Sequence, residues 1–188
     1  MASNARLFHY ATDSKTLAWG ITMSGIDYVA VFKRGPSTAA GSDSDALLLN
    51  WSEEDWKKLL ANTVSQRFRA SEVVIQRDAM DRALYFVAAG SLEVGVYRVD
   101  SEGVAPIARI GVGSVIGEQA FFDGQPRSTN VWAVSDGELL RLTFEVFNEF
   151  AQAEPALARD LLFALGRVLS MRLRHTTFRG KGQGKKKG

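Results

Sequence analysis

Between Gly113 and Val131 the chain reads Gly113-Ser114-Val115-Ile116-Gly117-Glu118-Gln119-Ala120-Phe121-Phe122-Asp123-Gly124-Gln125-Pro126-Arg127-Ser128-Thr129-Asn130-Val131. A glycine-bounded turn is followed by an acid, a few residues able to form one helical turn, and a Pro-Arg step. Backbone N–H groups at the start of such a turn lack intrahelical acceptors and suit an anion. Arg127 adds a two-pronged donor that matches phosphate oxygens. Glu118 would repel a phosphate, so it fits a hydroxyl donor such as a ribose. An acid for a sugar and an arginine for a phosphate, nine residues apart, form a coherent nucleotide pocket. Taken singly, each residue has a plainer reading: Glu118 as a turn acid, and Arg127 as a turn arginine paired with Asp123 or Glu118.

The elements around this stretch are mostly strand-like. Short strand-like runs occur at Arg67–Arg69, Val73–Ile75, Leu84–Val87, Leu92–Val99, Ile107–Ile110, Val131–Val134 and Glu138–Leu142. Turn residues separate them at Ala89-Gly90, Asp100–Gly103 and Ser135–Gly137. Such a series predicts a sandwich, a jelly roll or a small barrel. Ser52 with Asp55 is a capping-box-like pair, and Trp56, Leu59 and Leu60 give the helix it opens one apolar face. Phe144, Phe147 and Phe150 mark a second helix. Pro155 opens a third, which carries Leu157, Leu161, Leu162, Leu165, Val168, Leu169 and Leu173 on one face and ends near Thr177. Nearer the N-terminus, Leu7-Phe8, Leu17–Trp19 and Ile26–Phe32 read as one or two strands, and Gly35–Asp45 as a linker. The resulting division is an extension over 1–47, a domain over 48–177 and a basic, disordered tail over 178–188.

Composition removes several classes of function. The 188 residues include no cysteine and only two histidines, His9 and His175, which excludes thiolate chemistry and disfavours a metal site. No apolar run approaches the length of a membrane span, and residues 1–20 do not resemble a signal peptide, so the expected location is the cytoplasm. The net charge of +2 is uneven: Arg167–Gly188 holds eight basic residues and no acid, leaving 15 basic and 21 acidic residues before it. The body is acidic and the tail is basic. Gly111 and Gly113 with Gly117 lack the spacing of a dinucleotide fingerprint, and the lysines of the tail follow no strand, so neither is a phosphate loop.

Gly117-Glu118-Gln119-Ala120, followed by Pro126-Arg127-Ser128-Thr129-Asn130-Val131, resembles the phosphate-binding cassette of the cyclic nucleotide-binding domain family. The resemblance spans about 48–177. It implies a mainly β fold with flanking helices: an eight-stranded jelly roll with an N-terminal helix and two C-terminal helices. It implies that Glu118 takes the ribose 2′-hydroxyl, that Arg127 takes the cyclic phosphate and that Ser128 supports it. The implied ligand-binding set is completed by Gly117, Gln119, Ala120, Thr129 and Asn130, and by Thr176 and Thr177 over the base. Three departures stand out. Ala70-Ser71 and Arg77-Asp78 occupy turns where the family carries glycines, so those turns should be built differently. Asn130 replaces a hydroxyl residue. Only 11 residues follow Thr177, too few for the helix-turn-helix of the bacterial activators that share this domain.

The expectation is a stand-alone cytoplasmic sensor, not an enzyme, that binds cAMP or cGMP and relays binding by moving its last helix. The Thr176-Thr177 pair favours cAMP. A protein partner would dock on residues 1–47 or on the basic tail, and the apolar last helix allows a homodimer. The rival is a ligand-free adaptor that uses the roll and tail to hold an acidic protein or nucleic acid. For the tail alone, an anionic membrane contact and a simple solvated segment are further readings.

Overall fold

A computed structural model describes residues 25–36, 47, 49–97 and 104–182, with the side chains at 96–97, 104–106 and 176–182 outside that description. Eight strands follow two helices: α1 (Tyr28–Arg34), α2 (Glu53–Leu60), β1 (Val64–Phe68), β2 (Val73–Ile75), β3 (Ala83–Ala89), β4 (Leu92–Tyr97), β5 (Val104–Ile110), β6 (Val115–Ile116), then the short helix α3 (Glu118–Asp123), β7 (Asn130–Ala133) and β8 (Gly137–Thr143). Helices α4 (Phe144–Ala153) and α5 (Pro155–Gly182) are the last of the described elements. The strands form two antiparallel four-stranded sheets, ordered β1-β8-β3-β6 and β2-β7-β4-β5. This is the expected mainly β roll with flanking helices.

Strand β3 shows why the sequence folds this way. Ala83, Tyr85 and Val87 point into the roll with Ile75, Leu92, Val131 and Leu139. Leu84, Phe86 and Ala88 point to the other face, where Trp56, Leu59, Phe147, Leu161 and Leu165 cover them. A strand buried on both faces reads as an unbroken apolar run, which Leu84–Val87 is. On the helical side, the Ser52/Asp55 capping box forms as expected, and Thr143 caps α4 by accepting from the Val146 N–H.

Four local expectations change. The run Ile26–Phe32 is largely helix, not strand: Asp27 accepts from the Ala30 N–H at 3.0 Å, and Tyr28, Val29 and Phe32 are buried on one face. Burial of that face against Trp56 and Phe86 overrides the strand preference of Tyr, Val and Phe. Thus part of the expected extension belongs to the core, and the Tyr28 hydroxyl donates to the buried Glu138, as does the Ser65 hydroxyl. Within the cassette stretch, Val115-Ile116 forms a two-residue strand against Tyr85 and Phe86, too short to leave a periodic signal. Helix α5 continues beyond Thr177 to Gly182, so the segment expected to be disordered begins as helix. The expected strands at Leu7-Phe8 and Leu17–Trp19, the linker from Ser37 to Asp45, and residues 183–188 lie outside the described residues.

The fourth change concerns the glycine-poor turns. Ser71 and Asp78 adopt φ of 68° and 65°, so these turns keep the left-handed backbone that glycine normally supplies. Neighbouring hydrogen bonds hold them there: Ser71 N–H to the Ala133 carbonyl at 2.8 Å, and Asp78 N–H to the Arg127 carbonyl at 2.9 Å. A left-handed non-glycine residue costs about 1–2 kcal/mol, part of which glycine returns as chain entropy. Ser71→Gly and Asp78→Gly should each therefore stabilise the fold by about 0.5–1 kcal/mol in chemical denaturation. A loss of stability in both variants would contradict this account of the turns.

Candidate functional site

Arg127 lies between α3 and β7, and the loop joining β2 to β3 holds it at both backbone and side chain. Its N–H donates to the Ala79 carbonyl at 3.0 Å and its carbonyl accepts from Asp78 N–H. Its guanidinium points inward and is only 3% exposed. One Nη2 contact reaches Asp81 Oδ2 at 2.7 Å and another the Ala83 carbonyl at 2.8 Å, while Nη1 donates to the Gly117 carbonyl at 3.0 Å. The Nε–H is buried without an acceptor. The arginine's partner is thus Asp81, not Asp123 or Glu118.

Asp81 is shared. Besides Arg127, its Oδ2 accepts from the Tyr85 hydroxyl at 2.6 Å, and its Oδ1 accepts from Arg141 Nη2 at 2.8 Å. Burial pushes the Asp81 carboxyl up, but the Tyr85 hydroxyl and the two guanidiniums outweigh it and hold it below the usual aspartate value. The Tyr85 phenol is pushed up to about 12, by burial first and by its bond to Asp81 second. It stays a neutral donor near neutral pH.

Gly117 makes the inward arginine possible. Its φ is 88°, and a Cβ there would sit 2.6 Å from Arg127 Nη1 and 2.7 Å from the Ala83 carbonyl oxygen. Glu118 begins α3, is 4% exposed, and pairs with Arg172 of α5 at 2.6 Å. Arg172 also donates to the Val115 carbonyl at 2.8 Å, so α5 is tied to both the strand and the acid of the cassette. At the other end of α3, Arg82 donates to the Phe121 and Phe122 carbonyls and stacks 3.3 Å over the Phe144 ring. Phe121 meets Phe144 and Phe147 edge-on at 5.4 and 5.2 Å. The cassette helix therefore bears directly on α4.

The sequence-predicted residues separate into groups. Gly117, Glu118 and Arg127 converge at the mouth of the roll. The Ser128 hydroxyl donates to Gln119 Oε1 at 2.6 Å, closing the cassette across its ends. Ala120 is buried against the core and Thr129 is half-buried beside β7. Asn130 Oδ1 accepts from the Arg77 N–H at 2.8 Å, so its carbonyl oxygen serves the β2–β3 turn. Thr176 and Thr177 fall on the last turns of α5, with side chains outside the described residues. Asp81, Tyr85, Arg141 and Arg172 are absent from the sequence-based set. Among the described residues no group of acids and histidines is arranged to hold a metal ion. None of the described helices is long and apolar enough to cross a membrane.

A model of the cyclic nucleotide-binding domain family matches residues 65–154. This region of the chain belongs to the cyclic nucleotide-binding domain family. Solved structures share the fold: a cyclic nucleotide-binding domain from Methylobacillus flagellatus is 22% identical with a TM-score of 0.64, covering 70% of this chain and 74% of that one. The Thermus thermophilus catabolite activator protein is 23% identical with a TM-score of 0.63, covering 72% and 61%. Among curated proteins, the Pycsar effector protein BcPycTIR of Burkholderia cepacia is 30% identical over 106 residues, which is 56% of this chain and 32% of that protein. An NTE family protein of Mycobacterium tuberculosis is 28% identical over 118 residues, 59% and 20% of the two chains. The chain thus spans a third or less of these curated relatives.

The Asp81 contacts carry a pH signature. A carboxyl held below its unfolded value of 3.8 contributes stability that is complete above that value and is lost as pH falls through the lower folded value. The stability difference between wild type and Asp81→Asn should be constant from pH 5 to 8 and shrink in acid below about 3.8. A difference that grows on acidification would contradict the pairing.

Proposed function

We propose that this chain is a non-enzymatic cyclic-nucleotide sensor, with cAMP as its preferred ligand, acting in the cytoplasm and relaying binding through α5. The observation that carries the reading is the Arg127 Nε–H, buried and without an acceptor beside three occupied contacts. A buried donor left unpaired costs about 1–3 kcal/mol, and more on a charged group. A phosphate oxygen relieves that cost and meets a guanidinium already oriented. The Gln119 and Ala120 N–H groups, in the first turn of α3, add donors that helix geometry leaves without intrahelical acceptors.

The relay follows from Glu118. A ribose 2′-hydroxyl seeks the carboxylate that Arg172 already holds. Ligand entry therefore makes α5 share or give up that contact, and the population of the two arrangements shifts only by the ligand's differential affinity for them. The Phe121–Phe144 contact offers a second route, from the cassette helix into α4. The cAMP preference rests on Thr176-Thr177 in the part of α5 that would cover the base. The basic tail, residues 178–188, and residues 1–47 outside the buried face of α1 are the surfaces through which a protein partner would read the change. The adaptor reading draws on one observation too: the Glu118 carboxylate has an internal partner in Arg172.

Thermal unfolding with cAMP, cGMP, the pyrimidine cyclic nucleotides and a cyclic dinucleotide separates the two. A ligand at ~100 times its Kd stabilises the folded state by about 2.7 kcal/mol. The sensor reading predicts such a rise with cAMP, its loss in Arg127→Ala, and its persistence in Arg172→Ala with the ligand-dependent change in α5 hydrogen exchange removed. No rise with any nucleotide would leave the ligand-free adaptor.

A further inference from the structure

The cassette arginine does not own its acid. Asp81 gives one oxygen to Arg127 and Tyr85 and the other to Arg141. Arg141 stands on β8 directly opposite Tyr85 on β3, so the two side chains leave the sheet on the same face, beside the Arg127 guanidinium. An isolated Arg127–Asp81 pair would be neutral, and an approaching anion would meet a carboxylate as well as a guanidinium. With Arg141 the cluster carries a net charge of +1. Tyr85, a phenol at neutral pH, adds a donor and no charge.

We propose that Arg141 is a positioning residue for the ligand's phosphate: by sharing Asp81 it leaves the Arg127 charge in surplus and fixes the carboxylate that orients the Arg127 guanidinium. Arg141 acts through Asp81 and need not touch the ligand. The inference rests on the cyclic-nucleotide reading above and adds a residue from outside the cassette to it. Its side chain is 30% exposed, so replacing it removes little core packing.

The test is cAMP titration of the full chain at several salt concentrations. Arg141→Gln should weaken binding roughly tenfold and flatten its salt dependence, because one cation has left the site. Arg141→Lys keeps the charge and should stay within about threefold of wild type with the salt dependence unchanged. Wild-type affinity and salt dependence in Arg141→Gln would overturn the proposal. If the glutamine variant does not fold, the lysine variant decides: a folded Arg141→Lys protein that loses tenfold overturns the proposal as well. Failure of the wild-type chain to bind cAMP would overturn the cAMP reading together with this inference, whereas cAMP binding indifferent to Arg141 overturns the inference alone.

Discussion

A guanidinium can be buried in the end of a β-roll only if an acid and several carbonyls surround it. Here the acid is Asp81, and much of the site's geometry follows from where that carboxylate lies. It draws Arg127 inward, so the cassette arginine lies against the Gly117 and Ala83 carbonyls instead of extending into solvent. That position leaves no room for a Cβ at Gly117. It also depends on the β2–β3 loop, whose left-handed residue Asp78 bonds the Arg127 backbone and whose Arg77 N–H is held by Asn130. One loop thus supplies backbone, side-chain and turn contacts to one arginine.

The opposite side of the cassette is governed by charge pairing across elements. Glu118 and Arg172 bring α5 onto α3, while Arg82 and the Phe121, Phe144 and Phe147 rings bring α4 onto it. From the N-terminal side, the Gly35 carbonyl comes so close to Gly113 that a Cβ there would lie 2.6 Å away. The strand β6 that follows Gly113 is only two residues long and runs straight into Gly117. Segments remote in sequence therefore meet within six residues of the cassette. A small shift of α3 has to be accommodated by α4 and α5, because close-packed contacts transmit displacement rather than absorb it.

Much of this was legible in the sequence, and for identifiable reasons. Strand β3 carries an unbroken apolar run, and the Ser52 cap and the Pro155 start mark their helices locally. Glu118 and Arg127 are visible because Gly117 and Pro126 precede them at a characteristic spacing. Residues that act only through tertiary contacts are not visible. Asp81 reads as an ordinary turn acid until β3 and β8 are paired, which sets Tyr85 opposite Arg141. Arg172 reads as one of eight tail cations until α5 packs on the cassette. The α1 segment misleads for a different reason: Tyr28, Val29 and Phe32 favour strands, yet their shared burial against Trp56 and Phe86 decides for helix. Ser71 and Asp78 show that residue type underdetermines a turn when neighbouring hydrogen bonds hold the backbone.

Arg127 is held inside the roll by Asp81, and in the proposed sensor its Nε–H is the donor that a phosphate would engage. Side-chain NMR of the Arg127 Nε–H group, followed during addition of cAMP, tests it most directly. The account predicts a resonance protected from solvent exchange in the free protein that moves downfield on saturation, as the proton acquires a charged acceptor. A resonance that exchanges freely without ligand, or one that stays unmoved at saturation, would contradict it.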